Sequence, residues 1–106
     1  MAEFKIETNG AVLFGVEQGY GAPIVFLHAG VADHRMWQPQ LDAVGLELHA
    51  IAYDQRGYGR TQSEDVAYSD VDDLLAVLDH FKLDRAVLVG LSLIHISEPT
   101  RPLYIS

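Results

Sequence analysis

Residues 46–61 read LELHAIAYDQRGYGRT, in which a mostly apolar run ends at Tyr53 and a glycine-rich loop follows at once. The run from Leu46 to Tyr53 is typical of an interior strand, because apolar side chains point to both of its faces. Gly57 and Gly59 make the following residues too flexible to continue the strand. We therefore predict a buried strand whose carboxyl end leads into a tight polar loop.

Two further segments have the same composition, Ile24 to Leu27 and Ala86 to Val89. Helices are predicted between these strands. One runs from about Met36 to Val44 and is ended by Gly45, and the other runs from Asp70 to about Lys82. Strands that alternate with helices indicate a mostly parallel sheet covered by helices.

The second helix has the clearer end signals. Ser69 is a favourable N-cap, and Asp72 three residues later resembles a capping box. Asp70, Asp72 and Asp73 suit the positive end of the helix dipole. One face carries an apolar stripe, which consists of Val71, Leu74, Leu75, Leu78 and Phe81.

The amino-terminal segment predicts a β-hairpin. Phe4 to Thr8 and Ala11 to Val16 alternate between apolar and polar residues, and Asn9-Gly10 separates them. Both central residues of a type I′ turn need positive φ, which asparagine and glycine adopt most readily. We expect the hairpin to open the sheet.

Composition limits the class of protein. The chain has 106 residues, with 15 acidic and seven basic side chains and a net charge of −8. So few cations argue against binding to nucleic acid or to an anionic membrane surface. There is no cysteine, and hence no disulfide or thiolate chemistry. Without a secretory signal pattern or an apolar run that could span a bilayer, we expect a cytoplasmic protein.

Three motifs follow the three predicted interior strands. They are His28-Ala29-Gly30, the loop from Asp54 to Thr61, and Gly90-Leu91-Ser92. In this order they resemble the α/β-hydrolase superfamily, in which a His-Gly segment forms one side of the oxyanion hole, a D-x-R-G-x-G-x-S loop follows the next strand, and G-x-S-x-G is the nucleophile elbow. Ala29 replaces the usual glycine and Thr61 the usual serine. The resemblance covers nearly all of residues 4–90.

The resemblance implies an α/β fold that is the N-terminal part of an α/β-hydrolase domain, a β-hairpin followed by βαβαβ parallel strands, cut at the nucleophile elbow. It implies a serine-type parent enzyme that hydrolyses an ester, lactone or related small-molecule bond through a Ser-His-acid triad, with no cofactor and no metal. Ser92 matches the nucleophile by position only, and the backbone N–H groups of Gly30 and Leu93 match the oxyanion-hole donors. The structural motif residues would be His28, Asp54, Arg56, Gly57 and Gly59.

Other parent functions remain open. The same constellation serves C–C hydrolases and lyases, whereas epoxide hydrolases and dehalogenases of this fold use an aspartate nucleophile. A parent that binds a small ligand without catalysis is a further alternative, because a fold does not fix a function. The natural residue at the nucleophile position would separate these classes.

The elbow departs from the family pattern, because Ile94 replaces its second glycine and residues 91–106 show no helical periodicity. Leu91 to Arg101 resembles a translated transposase-type sequencing adapter. We therefore expect residues 1–90 to be the N-terminal half of the domain and residues 91–106 to be a non-native tail. Such a chain lacks the catalytic histidine and acid and is expected to be inactive. Its strand Ala86 to Val89 would become an exposed edge that favours aggregation.

Several polar residues have structural interpretations that we prefer to catalytic ones. His28 is expected to shape its loop, with Asp33 and His34 in solvent. An Asp54–Arg56 pair is expected to fix the second loop. The remaining side chains are expected to be a packed or edge histidine, a histidine on the polar side of the long helix, and a core or pocket-edge aromatic, which are His49, His80 and Trp37.

Overall fold

The computed structural model describes residues 2–28 and 32–90, together with the backbone of residues 103–105. Strands in these residues are β1 Ala2–Thr8, β2 Ala11–Gln18, β3 Pro23–Leu27, β4 His49–Tyr53, β5 Gln62–Ser63, β6 Ala86–Gly90 and β7 Leu103–Ile105. Helices in the same residues are a 3-10 turn at His34–Trp37, α1 at Gln38–Val44 and α2 at Asp70–His80. None of these helices is long and apolar enough to cross a membrane.

The strands form one mixed sheet in the order β1-β2-β4-β3-β6-β7, with β5 added to β2. The pairs β1–β2, β2–β4 and β2–β5 are antiparallel, whereas β4–β3, β3–β6 and β6–β7 are parallel. This is the predicted hairpin followed by parallel strands. The hairpin turn has positive φ at Asn9 (36°) and Gly10 (77°), as its sequence predicts.

Helices cover both faces of the sheet, which explains why the interior strands are apolar without alternation. On one face, α2 contributes Leu74, Val77 and Leu78 to a core that includes residues from β1, β2, β3, β4 and β6. On the other face, Trp37 and Leu41 pack against β2, β3 and β4. The small side chains of Ala50 and Ala52 on β4 face this second core.

Helix α2 begins as predicted, because the Ser69 hydroxyl accepts a hydrogen bond from the Asp72 backbone N–H at 3.4 Å. It ends at His80, two residues before the predicted end, and Lys82 then takes a left-handed φ of 57°. The predicted apolar stripe omitted Val77, which is fully buried, and included Val71, which is partly exposed.

Two expectations were wrong, one about where a strand begins and one about which strand lies at the edge of the sheet. The strand predicted from Leu46 begins at His49, because the backbone N–H groups of Glu47 and Leu48 both bond the Val44 carbonyl and turn the chain after α1. Leu46 is consequently 83% exposed. Strand β6 is not an edge strand, because β7 from the C-terminal segment pairs with it in parallel and satisfies its outer backbone groups.

Candidate functional site

The sheet has a topological switch point between β3 and β6. From β3 the chain continues to β4 on one side, and from β6 it continues to β7 on the other. Leu27 and Gly90, the last residues of β3 and β6, are direct partners in the parallel register. Ligands of open α/β sheets bind outside the carboxyl ends of the strands at such a point. Two of the three sequence motifs therefore begin side by side at this edge.

The described residues end just short of the reacting groups in both motifs. Gly30, Ser92 and Leu93, which sequence reasoning assigned to the oxyanion hole and the nucleophile, lie outside the described residues. The side chains that support them, at the ends of β3 and β4, are within the described part of the chain.

His28 is fully buried and begins the loop after β3, residues 28–37 with the 3-10 turn, which we call the first loop. Its Nε2 accepts a hydrogen bond from the Gln55 backbone N–H at 2.9 Å, and its carbonyl accepts one from Gln55 Nε2 at 2.8 Å. An Nε2 that accepts from an amide carries no proton, so the neutral ring is protonated at Nδ1. The edge-to-face ring of Tyr58 lies 5.3 Å away. His28 thus shapes the loop, and its Nε2 is already used.

Asp54 joins the two loops. Its Oδ1 accepts hydrogen bonds from the backbone N–H and from Nδ1 of His34, both at 2.7 Å, and its Oδ2 accepts from the Arg60 backbone N–H at 2.8 Å. The predicted Asp54–Arg56 pair is therefore wrong, because the carboxylate faces the first loop and its own loop end. The expectation that His34 is solvated is also wrong, since it is only 8% exposed.

Arg56 turns instead to α2. Its Nε and NH2 donate to the Asp73 carboxylate at 2.7 and 3.0 Å, and NH2 also donates to the Thr8 carbonyl at 3.0 Å. The guanidinium lies 4.6 Å from the centre of the Tyr68 ring. Hydrogen bonding to Asp73 raises the pKa of Arg56, so the guanidinium stays charged. Asp73 is thus a buried ion-pair partner in addition to being part of the aspartate cluster at the helix start.

The loop after β4, residues 54–61, is the second loop, and Thr61 closes its base. Its hydroxyl accepts from the Phe14 backbone N–H at 2.9 Å and donates to the Asp54 carbonyl at 2.6 Å. The hydroxyl that serine supplies in the family pattern is therefore retained. Gly57 and Gly59 have φ of 86° and 55°, a region that favours glycine.

Asp33 and Arg35 form an ion pair on the first loop. Asp33 accepts from the Arg35 backbone N–H at 2.9 Å and from its guanidinium at 2.8 Å. The hydrogen bonds from Arg35 lower the pKa of Asp33 to about 2, against a smaller opposing effect of burial. An open groove of about 670 Å³ separates the two loops and is lined by Arg35 and Met36 from the first and by Tyr58 from the second.

One group of side chains has the donor types of a metal site. Ligand atoms of Asp33, His34 and Asp54 lie within 4.8 Å of one another. However, Asp33 already accepts from Arg35, and His34 Nδ1 is bonded to Asp54. These contacts use the atoms that an ion would need, so the group is better described as the Asp33–Arg35 ion pair beside the hydrogen-bonded His34 and Asp54.

The remaining candidates are structural. Trp37 is buried with its ring 5.0 Å from Phe26, which makes it a core residue. His49 is half-buried and its Nε2 lies 2.9 Å from a carboxylate oxygen of Glu17. His80 is exposed on α2, as predicted.

Sequence reasoning missed three contributors to the site, namely Gln55, His34 and Asp73. Each is bonded to a residue 17 to 27 positions away in the chain. A spacing pattern carries no signal for such partners. Only the position of Gln55 between two motif residues pointed to it.

The chain is similar in sequence to one family profile and to several known proteins. The sequence profile of the alpha/beta hydrolase family matches residues 24–93. An epoxide hydrolase from Caballeronia sordidicola is 38% identical over 94 residues, which are 83% of this chain and 29% of that protein. The 3-oxoadipate enol-lactonase 1 of Acinetobacter baylyi is 33% identical over 72 residues, which are 66% of this chain and 27% of that protein.

Among solved structures, that of Est816, described as an N-acyl homoserine lactone degrading enzyme, is 38% identical with a TM-score of 0.76. The match covers 81% of this chain and 34% of that one. The chain spans about 30% of the length of the relatives that it matches. From the profile match and these identities, together with the sheet order and the motif positions, the chain belongs to the α/β-hydrolase family.

Proposed function

We propose that this chain is the oxyanion-hole half of a serine-type hydrolase that cleaves an ester, lactone or related bond in a small molecule. The observation that carries the proposal is the pairing of Leu27 with Gly90. Because of this pairing, the His28–Gly30 loop and the Ser92 segment begin at neighbouring positions. The nucleophile and the N–H donors of one oxyanion hole must lie close together in this way.

In the parent enzyme, the hydroxyl of a natural serine at position 92 would attack the carbonyl carbon while its proton passes to a histidine. The carbonyl oxygen becomes an anion that the N–H groups of Gly30 and of the residue at position 93 would stabilise, each by roughly 2.7–4 kcal/mol. The base and its orienting acid belong to the rest of the parent domain. His28 and His34 are both bonded to partners in the loops, which supports our expectation that the chain by itself is inactive.

A parent with an aspartate nucleophile is the second candidate. Several similar proteins are named epoxide hydrolases, and one 30% identical over 66 residues is named a haloalkane dehalogenase. The lactonase and the lactone-degrading enzyme favour the serine alternative. In both cases we expect a small-molecule substrate in the cytoplasm and no nucleic-acid partner.

The activity of the chain is tested with p-nitrophenyl acetate. We expect the purified chain and its Ser92→Ala variant to hydrolyse the ester at the same background rate. Ser97→Ala, in the same segment, is the matched control. A rate that disappears in Ser92→Ala alone would contradict the inactivity that we propose.

The parent function is tested by sequencing the source locus beyond position 90 from genomic DNA. We expect a natural continuation with a small residue in place of Ile94, a serine at position 92, and a histidine and an acid further on. The full-length product should then hydrolyse the ester in a serine-dependent way. An aspartate at position 92 would establish the second candidate, and genomic DNA that encodes residues 94–106 would refute the adapter origin of the tail.

A further inference from the structure

We propose that Gln55 is a positioning residue that aims the loop carrying the oxyanion-hole donor of Gly30. This inference rests on the proposed function, because the importance of the loop follows from it. The contacts themselves are independent of any reaction.

Gln55 forms hydrogen bonds with both the side chain and the main chain of His28. Its backbone N–H donates to the ring at Nε2 (2.9 Å), and its side-chain amide donates to the backbone carbonyl of the same residue (2.8 Å). His28 is the first residue after β3 and is fully buried. One glutamine therefore fixes both the side chain and the main chain of the residue from which the loop departs.

The bond to the His28 carbonyl has a direct consequence for the loop. That oxygen belongs to the peptide plane shared with residue 29, and a peptide plane moves as a rigid unit. Holding the oxygen therefore fixes ψ of His28 and the direction of the next N–H. The chain leaves β3 through this plane, so a plane that is free to rotate would no longer fix the direction in which the loop departs.

Hydrogen bonds made by the two residues next to Gln55 anchor its backbone. Asp54 before it is bonded through its carboxylate to His34 and to the Arg60 N–H. Arg56 after it is bonded to Asp73. The backbone of Gln55 is thus anchored to the first loop, to its own loop and to α2, and its side chain can act as a rigid arm.

The chemistry of this arm is specific to an amide of this length. Leucine has a similar size but no donor, and an ionised glutamate presents an acceptor to the His28 carbonyl. Asparagine is one methylene shorter and falls short of the carbonyl. The side-chain contact is therefore removed by Gln55→Leu and made repulsive by Gln55→Glu, while the backbone N–H remains in both variants.

The test uses amide hydrogen exchange and nitrogen NMR of the His28 ring in the 106-residue chain. We expect the wild-type ring to show a protonated Nδ1 and an unprotonated Nε2. In Gln55→Leu the amides of residues 29–32 should exchange about tenfold faster, as loss of one hydrogen bond of about 1.4 kcal/mol allows. The His28 ring should keep its Nδ1-protonated tautomer, because the Gln55 backbone N–H that bonds Nε2 is retained, and the amides of α2 should be unchanged.

Gln38→Leu is the matched control, because it removes a side-chain amide that bonds Asp42 at 2.9 Å on the surface of α1. It should change neither readout at residues 28–32. Gln55→Glu should act in the same direction as Gln55→Leu and more strongly, and it retains a polar side chain if the leucine variant fails to fold. The proposal is overturned if folded Gln55 variants keep wild-type exchange at residues 29–32. Neither readout requires turnover, so a failure here is distinct from a failure of the hydrolase assay.

Discussion

Asp54 and His34 are joined twice, because one carboxylate oxygen accepts hydrogen bonds at 2.7 Å from both the backbone N–H and the ring of the same histidine. The bonds link the loop after β3 to the loop after β4 across 20 residues of sequence. The loop after β3, which lies at the switch point, is therefore tied to the loop after β4.

Replacing Asp54 by asparagine should lower the free energy of unfolding by about 2–3 kcal/mol. The amide nitrogen would face either the donors of His34 or the N–H of Arg60, so one buried donor loses its acceptor. Urea unfolding of Asp54→Asn measures the loss. Asp42→Asn, on the surface of α1, is the control and should change stability by less than about 0.5 kcal/mol. An equally small change in Asp54→Asn would contradict the assignment.

The buried Arg56–Asp73 pair predicts a non-additive double mutant. Arg56→Met leaves the Asp73 carboxylate buried without its partner and should cost about 3–5 kcal/mol. Adding Asp73→Leu removes the uncompensated charge, so the double variant should be more stable than Arg56→Met. Urea midpoints of the single and double variants decide this. Additive losses would show that the pair is not coupled in solution.

Two glycines in the same loop should respond differently to alanine. A Cβ at Gly59 would lie 2.2 Å from Asp54 Oδ2, whereas a Cβ at Gly57 would meet nothing within 4 Å. Gly57→Ala should therefore cost only the left-handed strain of about 1–2 kcal/mol. Gly59→Ala should cost more and also displace the Asp54 carboxylate. Thermal melts of both variants provide the comparison, and equal losses would contradict the close approach.

The Asp33–Arg35 contact predicts a pH dependence at the acid end of the scale. The pKa of Asp33 is lowered from 3.8 to about 2, so its ion pair is intact above pH 4 and is lost as the pH falls through about 2. Carboxyl carbon NMR should give a midpoint near 2, which Arg35→Gln should move toward 3.8. Lys5→Gln, an exposed cation on β1, should leave it in place. A midpoint near 3.8 in the wild type would disprove the contact.

Strand β7 predicts the effect of a truncation. Removal of residues 91–106 uncovers the outer backbone groups of β6, which are otherwise paired with Leu103–Ile105. An apolar edge strand with free N–H and C=O groups is a template for aggregation. The shorter chain should therefore aggregate at lower concentration by light scattering. If the full chain and the shorter chain were equally monodisperse, β7 would not protect the edge.

The sequence predicts those parts of the fold whose causes are local. Asn9-Gly10 sets a turn, Ser69 caps a helix, and unbroken apolar runs mark the strands that are covered on both faces. The motif positions follow as well, because they depend only on where each strand ends.

The charge partners do not follow from the sequence. Asp54 and Arg56 stand two residues apart, which makes a mutual pair plausible in an extended chain. The loop instead closes through Thr61 and Arg60, with the aspartate facing His34 and the arginine facing Asp73. Each charge finds its partner only when α2 and the first loop are docked, and local spacing cannot report that docking.

The position of β3 between β4 and β6 has a consequence for how the chain folds. Ile24 pairs with Ala50, but its other partner, Val87, follows it by 63 residues. The β1–β2 hairpin can close early because its contacts are local, whereas the β3–β6 ladder carries the cost of a long loop and forms late. During synthesis at about 5–20 residues per second, one side of β3 stays unpaired for roughly 3 to 13 s before β6 is made. During that interval the apolar edge of β3 lacks its second neighbour and can pair with another chain instead.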